Sequence, residues 1–368
     1  LTNREQEIIE LIRKNPMITQ NELSEMLSIT RSSVAVHITN LMKKGVIKGK
    51  CYILNDEPYV CVVGGANIDI QGFPGERLVM NDSNPGAVKI SFGGVGRNIA
   101  ENISRLGIQT KLITAVGNDD YGRGLLEAAG KCGMDMKHSL VSEEYPTPIY
   151  LSILDEEGDM KVAISQMNVL EKVTPEFIEN RRQLIKRAQL CVIDTNLPEK
   201  TIEFLTQEFP EMDFYLDTVS TAKAVKVKNV LSRLHTIKPN RLEAEKLSGI
   251  KITDEDSLCR SGEFFLEQGV RRVVISLGSG GTYYRGERDE FILETEKAKV
   301  VNATGAGDAF MAGLVYGSLN GMAPVETIRF SAAASKLALS HENTINPNMS
   351  VENINKMMEA NDHVKRLS

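Results

Sequence analysis

Cysteine is scarce in this 368-residue chain: Cys51, Cys61, Cys132, Cys191 and Cys259 are widely spaced, and no two form a CxxC pair. An odd, scattered set argues against a disulfide framework or a cysteine-held zinc and fits reduced thiols in the cytoplasm. The five histidines are dispersed too, which argues against a His-based metal site. No apolar run approaches the roughly 20 residues that cross a bilayer, and the N-terminal stretch lacks the apolar core of a signal peptide. No membrane partner is expected, and Leu1 in first place implies that an initiator Met is missing.

What is present is the composition of a soluble globular protein, 42% hydrophobic and 25% charged. The length suits two domains, or one large α/β domain with a small appendage. Charge is unevenly placed. Residues 1–55 carry eight Lys/Arg and five Asp/Glu, while the whole chain has a net charge of −6. A basic head on an acidic body suggests a separate partner for each.

The head reads as three short helices. "NREQEIIELIRK" sets Ile8, Ile9, Leu11 and Ile12 on one side, and Thr19 with Glu22 forms a capping box for a second helix. A third runs from about Arg31 to Lys44, with Val34, Ile38 and Leu41 inward, and "GVIKGKCYIL" reads as a hairpin wing. Three helices and a basic wing resemble a winged helix-turn-helix of bacterial transcription regulators, which implies a DNA-binding domain over 1–55. Its third helix would present Thr30, Arg31, Ser32, Ser33 and His37 to base edges, with Lys43, Lys44, Lys48 and Lys50 on phosphates. A protein-interaction module with a solvated lysine cluster is the alternative.

From Pro58 onward, continuously apolar strands alternate with helical patterns, which implies a mostly parallel sheet between helical layers. Functional residues should gather at the strand C-termini. The segment "TPIYLSILDEEGDMKVAISQ", 147–166, alternates around a turn and reads as a hairpin lid or an oligomer contact.

Three stretches carry chemistry. In "GGANIDI", Asn67 and Asp69 suit two neighbouring sugar hydroxyls, although an Asx-turn explains them equally. In "SFGGVGRNIAENI", Gly93, Gly94 and Gly96 precede a helix that starts near Asn98 and allow close backbone approach. The spacing fits neither a dinucleotide fingerprint nor a Walker loop. In "VVNATGAGDAF", a strand leads into a Gly-Ala-Gly turn whose amides can converge on an anion at a helix start. Asp308 follows directly, where it can accept a proton from an attacking hydroxyl. A helix cap alone would not require two glycines and an alanine before it.

These stretches, together with "AVGNDDYG", the Asn240–Glu243 quartet "NRLE" and "SLGSGG", resemble the ribokinase-like (PfkB) family of carbohydrate and nucleoside kinases over most of residues 58–350. Within it, "GGVGRNIAENISRLG", "LDTVS" and the Asn opening "NATGAGD" look like the bacterial pseudouridine kinase branch, among whose relatives a fused N-terminal helix-turn-helix occurs. The resemblance implies a three-layer α/β sandwich with a mostly parallel sheet and a β lid at about 147–166, filling residues 58–368 behind the head. It implies ATP and Mg²⁺ as cofactors, and Asp308 as catalytic base beside an anion hole of Gly305, Ala306 and Gly307. It assigns Asn67, Asp69, Gly93, Gly94 and Asn98 to the sugar, and Asn240, Gly278, Gly281 and Thr304 to the nucleotide. Glu243 and Asn240 would reach Mg²⁺ through water.

The implied reaction is phosphorylation of a ribosyl 5′-hydroxyl, with pseudouridine as the expected substrate. The alternatives are a ribose- or fructose-type sugar kinase and a transcription regulator that uses the kinase body as a ligand sensor. Many family members hold a monovalent cation partly through an Asp at the position of Asn302. The neutral amide here implies weak or absent K⁺ activation. A homodimer is expected, since such lids and paired DNA half-sites both favour one.

Overall fold

A computed structural model describes residues 1–15, 17–47, 49, 58–294, 300–358 and 363–367. The chain divides into two compact units, Leu1–Asp56 and Glu57–Ser368. In the first, helices span Asn3–Lys14, Gln20–Met26 and Arg31–Lys43, and Ile8, Leu23, Val34 and Leu41 are fully buried between them. The first two helices open on capping boxes, Thr2 with Glu5 and Thr19 with Glu22, which satisfy N–H groups that a helix start leaves unpaired. Much of the wing expected over 45–54, including Lys48 and Lys50, lies outside the described residues.

The second unit is built on a ten-stranded sheet. Its order is His363–Arg366, Glu290–Glu294, Thr282–Gly286, Arg272–Ser276, Thr236–Lys238, Phe214–Asp217, Cys191–Asp194, Val60–Val63, Thr110–Ile113 and Met134–Asp135. From Arg272–Ser276 onward all pairings are parallel, and the three on the opposite flank are antiparallel. Alternate residues of one strand feed two cores. Cys61 and Val63 meet the helices Glu199–Glu208, Arg241–Ser248 and Glu255–Glu267 on one face. Val60 and Val62 meet Val95–Arg105, Ala306–Leu319 and Pro324–Leu339 on the other. Burial on both faces is why these strands are apolar without alternation.

Three readings from sequence change. "TKLITAVG" is two strands, Thr110–Ile113 and Ala115–Gly117, and the helix expected over 226–234 is a 3-10 helix, Val225–Arg233. The lid is larger than a hairpin. Ile149–Leu154 and Met160–Gln166 are joined by Asn67–Pro74 and Gly86–Gly93 in one four-stranded sheet. Gly72 lies inside one of those added strands and Pro74 and Gly86 stand at their ends, residues that weaken a strand signal. On the lid, Val88, Ile90, Met160, Val162 and Ile164 are each more than half exposed.

The helices Ala306–Leu319 and Pro324–Leu339 pack closely at Gly313, where a Cβ would stand 2.6 Å from the Ser331 Cα. Gly313→Ala gains about 1 kcal/mol of helix propensity, against an overpacking penalty of about 1–3 kcal/mol. A lowered melting temperature is expected. An unchanged or higher one would contradict the close packing.

Candidate active site

Three adjacent strands end on charged residues in register: Asp194 pairs with Asp217, and Asp217 with Lys238. All three side chains are buried. Lys238 Nζ lies 2.9 Å from Asp217 Oδ2. Burial alone would lower the Lys238 pKa, but Asp217, Asp308 and Glu243 outweigh it and hold the ammonium charged. Asp194 is raised to about 6, chiefly by burial, although the Gly65 and Asn196 N–H groups donate to its carboxylate at 2.8 Å. The other Asp217 oxygen accepts the Val219 N–H at 2.9 Å and holds that β-branched residue at φ 59°. Such a conformation costs on the order of 1–3 kcal/mol and persists only where its surroundings impose it.

Against this row stands the turn before the Ala306–Leu319 helix. Gly305 sits at φ 84°, and a Cβ there would meet the Thr344 carbonyl oxygen at 2.2 Å, so only glycine fits. No side chain caps this helix. Its first-turn N–H groups thus have neither an intrahelical acceptor nor a side-chain cap, the arrangement that binds anions. A methyl placed on Gly307 would lie 3.4 Å from Lys238 Nζ, so the ammonium faces the same turn. Asp308 is buried in the first helical turn. Burial and then Asp217 raise its carboxyl to about 7, with a smaller push from Asp194, while Asn98 and Lys238 pull it down. The arrangement can accept a proton from an alcohol and stabilise negative charge beside it.

The residues expected at the sugar lie on the lid and at the start of the Val95–Arg105 helix. Asn67 and Gly93 are partners on lid strands, and Asn67 Nδ2 donates to Asp69 Oδ1 at 2.6 Å. Asn67 thus opens a strand and is not in an Asx-turn. Burial raises the Asp69 pKa, opposed by Asn67 and Arg97. A Cβ on Gly93 would collide with the Asp69 carboxylate, and Gly94, at φ 97°, lies against Ala66. Asn98 Nδ2 donates to Asp308 Oδ2 at 2.9 Å, so its amide is directed at the carboxylate.

A cavity of about 530 Å³ adjoins the turn, lined by Gly278, Ser279, Gly281, Ala306, Gly307 and Phe310 among others. Its size and apolar floor fit a nucleotide. Two residues expected on the nucleotide do not line it. Asn240 caps the Arg241–Ser248 helix through a capping box with Glu243. The Thr304 N–H is taken by Asn302 Oδ1 at 2.9 Å. Glu243 accepts from Thr218 Oγ1, the Asn240 N–H and Asn240 Nδ2 at 2.6–2.9 Å. With both oxygens engaged, it fits a divalent ion reached through water better than direct ligation. The Asn302 amide oxygen is likewise occupied, and its Nδ2 donates to the Glu342 carbonyl at 2.9 Å, which also accepts from Lys89 Nζ at 3.1 Å.

In the head, Arg31 and Ser32 are exposed, and Ser33 and His37 are partly buried. Thr30, also exposed, caps the helix and accepts the Ser33 N–H at 3.2 Å. Lys44, expected on phosphate, pairs with Glu5 at 2.7 Å.

Sequence reasoning missed Asp194, Asp217 and Lys238. The available signal was a charged residue closing each of three apolar strands, "CVID", "FYLD" and "TIK".

The pattern of the pfkB family carbohydrate kinases matches residues 57–351. The chain belongs to that family. It is therefore a phosphotransferase acting on an alcohol group of a sugar or nucleoside, and the family implies ATP and Mg²⁺. A winged helix-turn-helix DNA-binding pattern matches residues 1–48. Among pfkB relatives, the chain is 39% identical to the pseudouridine kinase of Escherichia coli (strain K12), over 83% of this chain and 98% of that protein. It is 37% identical to the uncharacterized sugar kinase YeiI of the same organism, over 96% of this chain and 98% of that one. In structure it resembles a putative sugar kinase from Clostridium perfringens, with a TM-score of 0.77, 39% identity, and coverage of 85% of this chain and 99% of that one. The Arabidopsis thaliana ribokinase complexed with ribose and ATP has a TM-score of 0.75 at 23% identity, covering 83% and 99% of the two chains, and shares the fold.

Only the ionised Asp308 accepts a proton, so kcat is expected to rise as pH climbs through about 7. A pH profile measured at saturating ATP and nucleoside checks this. A flat profile across neutrality would contradict a role for that carboxylate.

Proposed function

We propose that the protein transfers the γ-phosphoryl group of ATP to the 5′-hydroxyl of a ribosyl substrate, and that pseudouridine is that substrate. The observation that carries this reading is the placement of Asp308, a buried carboxyl raised to about 7, behind an uncapped Gly-Ala-Gly helix start that Lys238 also faces. Asp308 accepts the hydroxyl proton as the oxygen attacks. The Gly305–Gly307 amides and the Lys238 ammonium stabilise charge on the transferred group, and Gly278 and Gly281 line the nucleotide. Asn67, Asp69, Gly93, Gly94 and Asn98 surround the sugar, and the lid excludes water. Glu243 would hold Mg²⁺ through water, and the ion would supply neutralisation of phosphate charge. The pseudouridine kinase relative, at 39% identity, supports the choice of nucleoside.

A panel of pseudouridine, uridine, ribose and fructose, read by ADP release, is expected to favour pseudouridine by at least tenfold in kcat/KM. Preference for a free sugar would overturn the substrate but not the chemistry. In the same assay K⁺ should activate weakly or not at all, because both polar atoms of Asn302 are already engaged. Five exposed apolar residues on the lid favour a homodimer joined there.

The head supports a second activity, reading double-stranded DNA through the start of its third helix, where Arg31 and Ser32 are exposed. The body would then also serve as its ligand sensor. Binding to DNA from upstream of the protein's own gene is expected in a gel-shift, weakened by salt and by Arg31→Ala. No shift at low salt would remove this reading.

A further inference from the structure

We infer that Arg97 is a positioning residue for the reaction, fixing the orientation of the Asn98 amide so that its N–H, and not its oxygen, meets Asp308. The inference rests on the reading of Asp308 as the base. Arg97 is buried at the start of the Val95–Arg105 helix, and its Nη1 donates to the Phe92 carbonyl at 2.9 Å and to Asn98 Oδ1 at 3.2 Å. Its Nη2 pairs with Glu101. Its guanidinium carbon lies 5.7 Å from the centre of the Phe92 ring, so the group is held on several sides.

A guanidinium donates and never accepts. The oxygen of the neighbouring amide must therefore face Arg97, which leaves Nδ2 for Asp308 Oδ2 at 2.9 Å. An N–H directed at a carboxylate favours its ionised form, whereas an amide oxygen there would favour the protonated acid. With Arg97 in place Asn98 has one satisfied orientation. Without it, either end of the amide can turn to the base. The other charged groups around Asp308 are Asp217, Asp194 and Lys238 on the strand ends, and none of them contacts the Asn98 amide by a hydrogen bond. The bond to Asn98 engages one oxygen of Asp308 and leaves Oδ1 for the substrate hydroxyl.

Removing Arg97 does not strand its ion-pair partner, because Arg105 also holds Glu101, at 2.8 Å. Arg97→Met is thus expected to fold, which a thermal melt verifies. With pseudouridine, ATP and Mg²⁺ at saturation, the acid limb of kcat should move up by about one pH unit. Arg97→Lys, which keeps a donor for the amide oxygen, should restore much of that shift. Asn98→Ala should show the same displacement, and adding Arg97→Met to it should move the limb no further. A limb that stays in place in Arg97→Met, or one that moves again in the double variant, overturns the inference. Asp308→Asn is run alongside. Retained turnover there would refute the base itself, whereas an inactive Asp308→Asn with an unmoved Arg97→Met limb refutes only the positioning role.

Discussion

Lys238 and Asp217 meet at 2.9 Å with almost no solvent, and Asp194 and Asp308 share the same enclosure. Neighbouring carboxylates buried this way repel, and each resists ionisation unless a cation is near. The Lys238 ammonium, with Lys223 acting on Asp194, therefore sets how much negative charge the centre tolerates. Breaking such a buried pair by removing one partner costs about 3–5 kcal/mol, since the other charge is left uncompensated. The parallel sheet supplies the row by ending three adjacent strands at one level, and the uncapped helix start supplies a second source of positive potential opposite it.

Much of the architecture was legible in the sequence because burial on both faces writes a simple pattern. "CVID" and "FYLD" read as buried strands, and they occupy the middle of the sheet. Thr19 and Glu22 announced their capping box because its chemistry is local. Asn67–Pro74 and Gly86–Gly93 escaped because their stability comes from pairing, the first with Ile149–Leu154 far along the chain and the second with Asn67–Pro74, not from their own periodicity.

At the site, the contiguous signature around Gly305–Asp308 was readable, since a turn and a helix start lie within one short stretch. The acidic row was not. Asp194, Asp217 and Lys238 are dispersed in sequence and become neighbours only through strand register. Asn240 and Thr304 illustrate the converse. Each carries a side chain or N–H suited to a ligand, yet local hydrogen bonds claim them first, as short polar groups at helix starts and turns often do.

The Glu342 carbonyl accepts from Asn302 on the phosphate turn and from Lys89 on the lid. One oxygen atom is thereby a common anchor for the four-stranded sheet and the turn before the Ala306–Leu319 helix. The Lys89 bond is exposed and weak by itself, so it restrains the lid without locking it. Swinging that edge of the lid outward must release the bond, which returns a lone pair to water just behind the Gly-Ala-Gly turn. The edge of the four-stranded sheet and the Gly-Ala-Gly turn are in this way tied to one main-chain acceptor, a tie that rests on the side chains of Lys89 and Asn302.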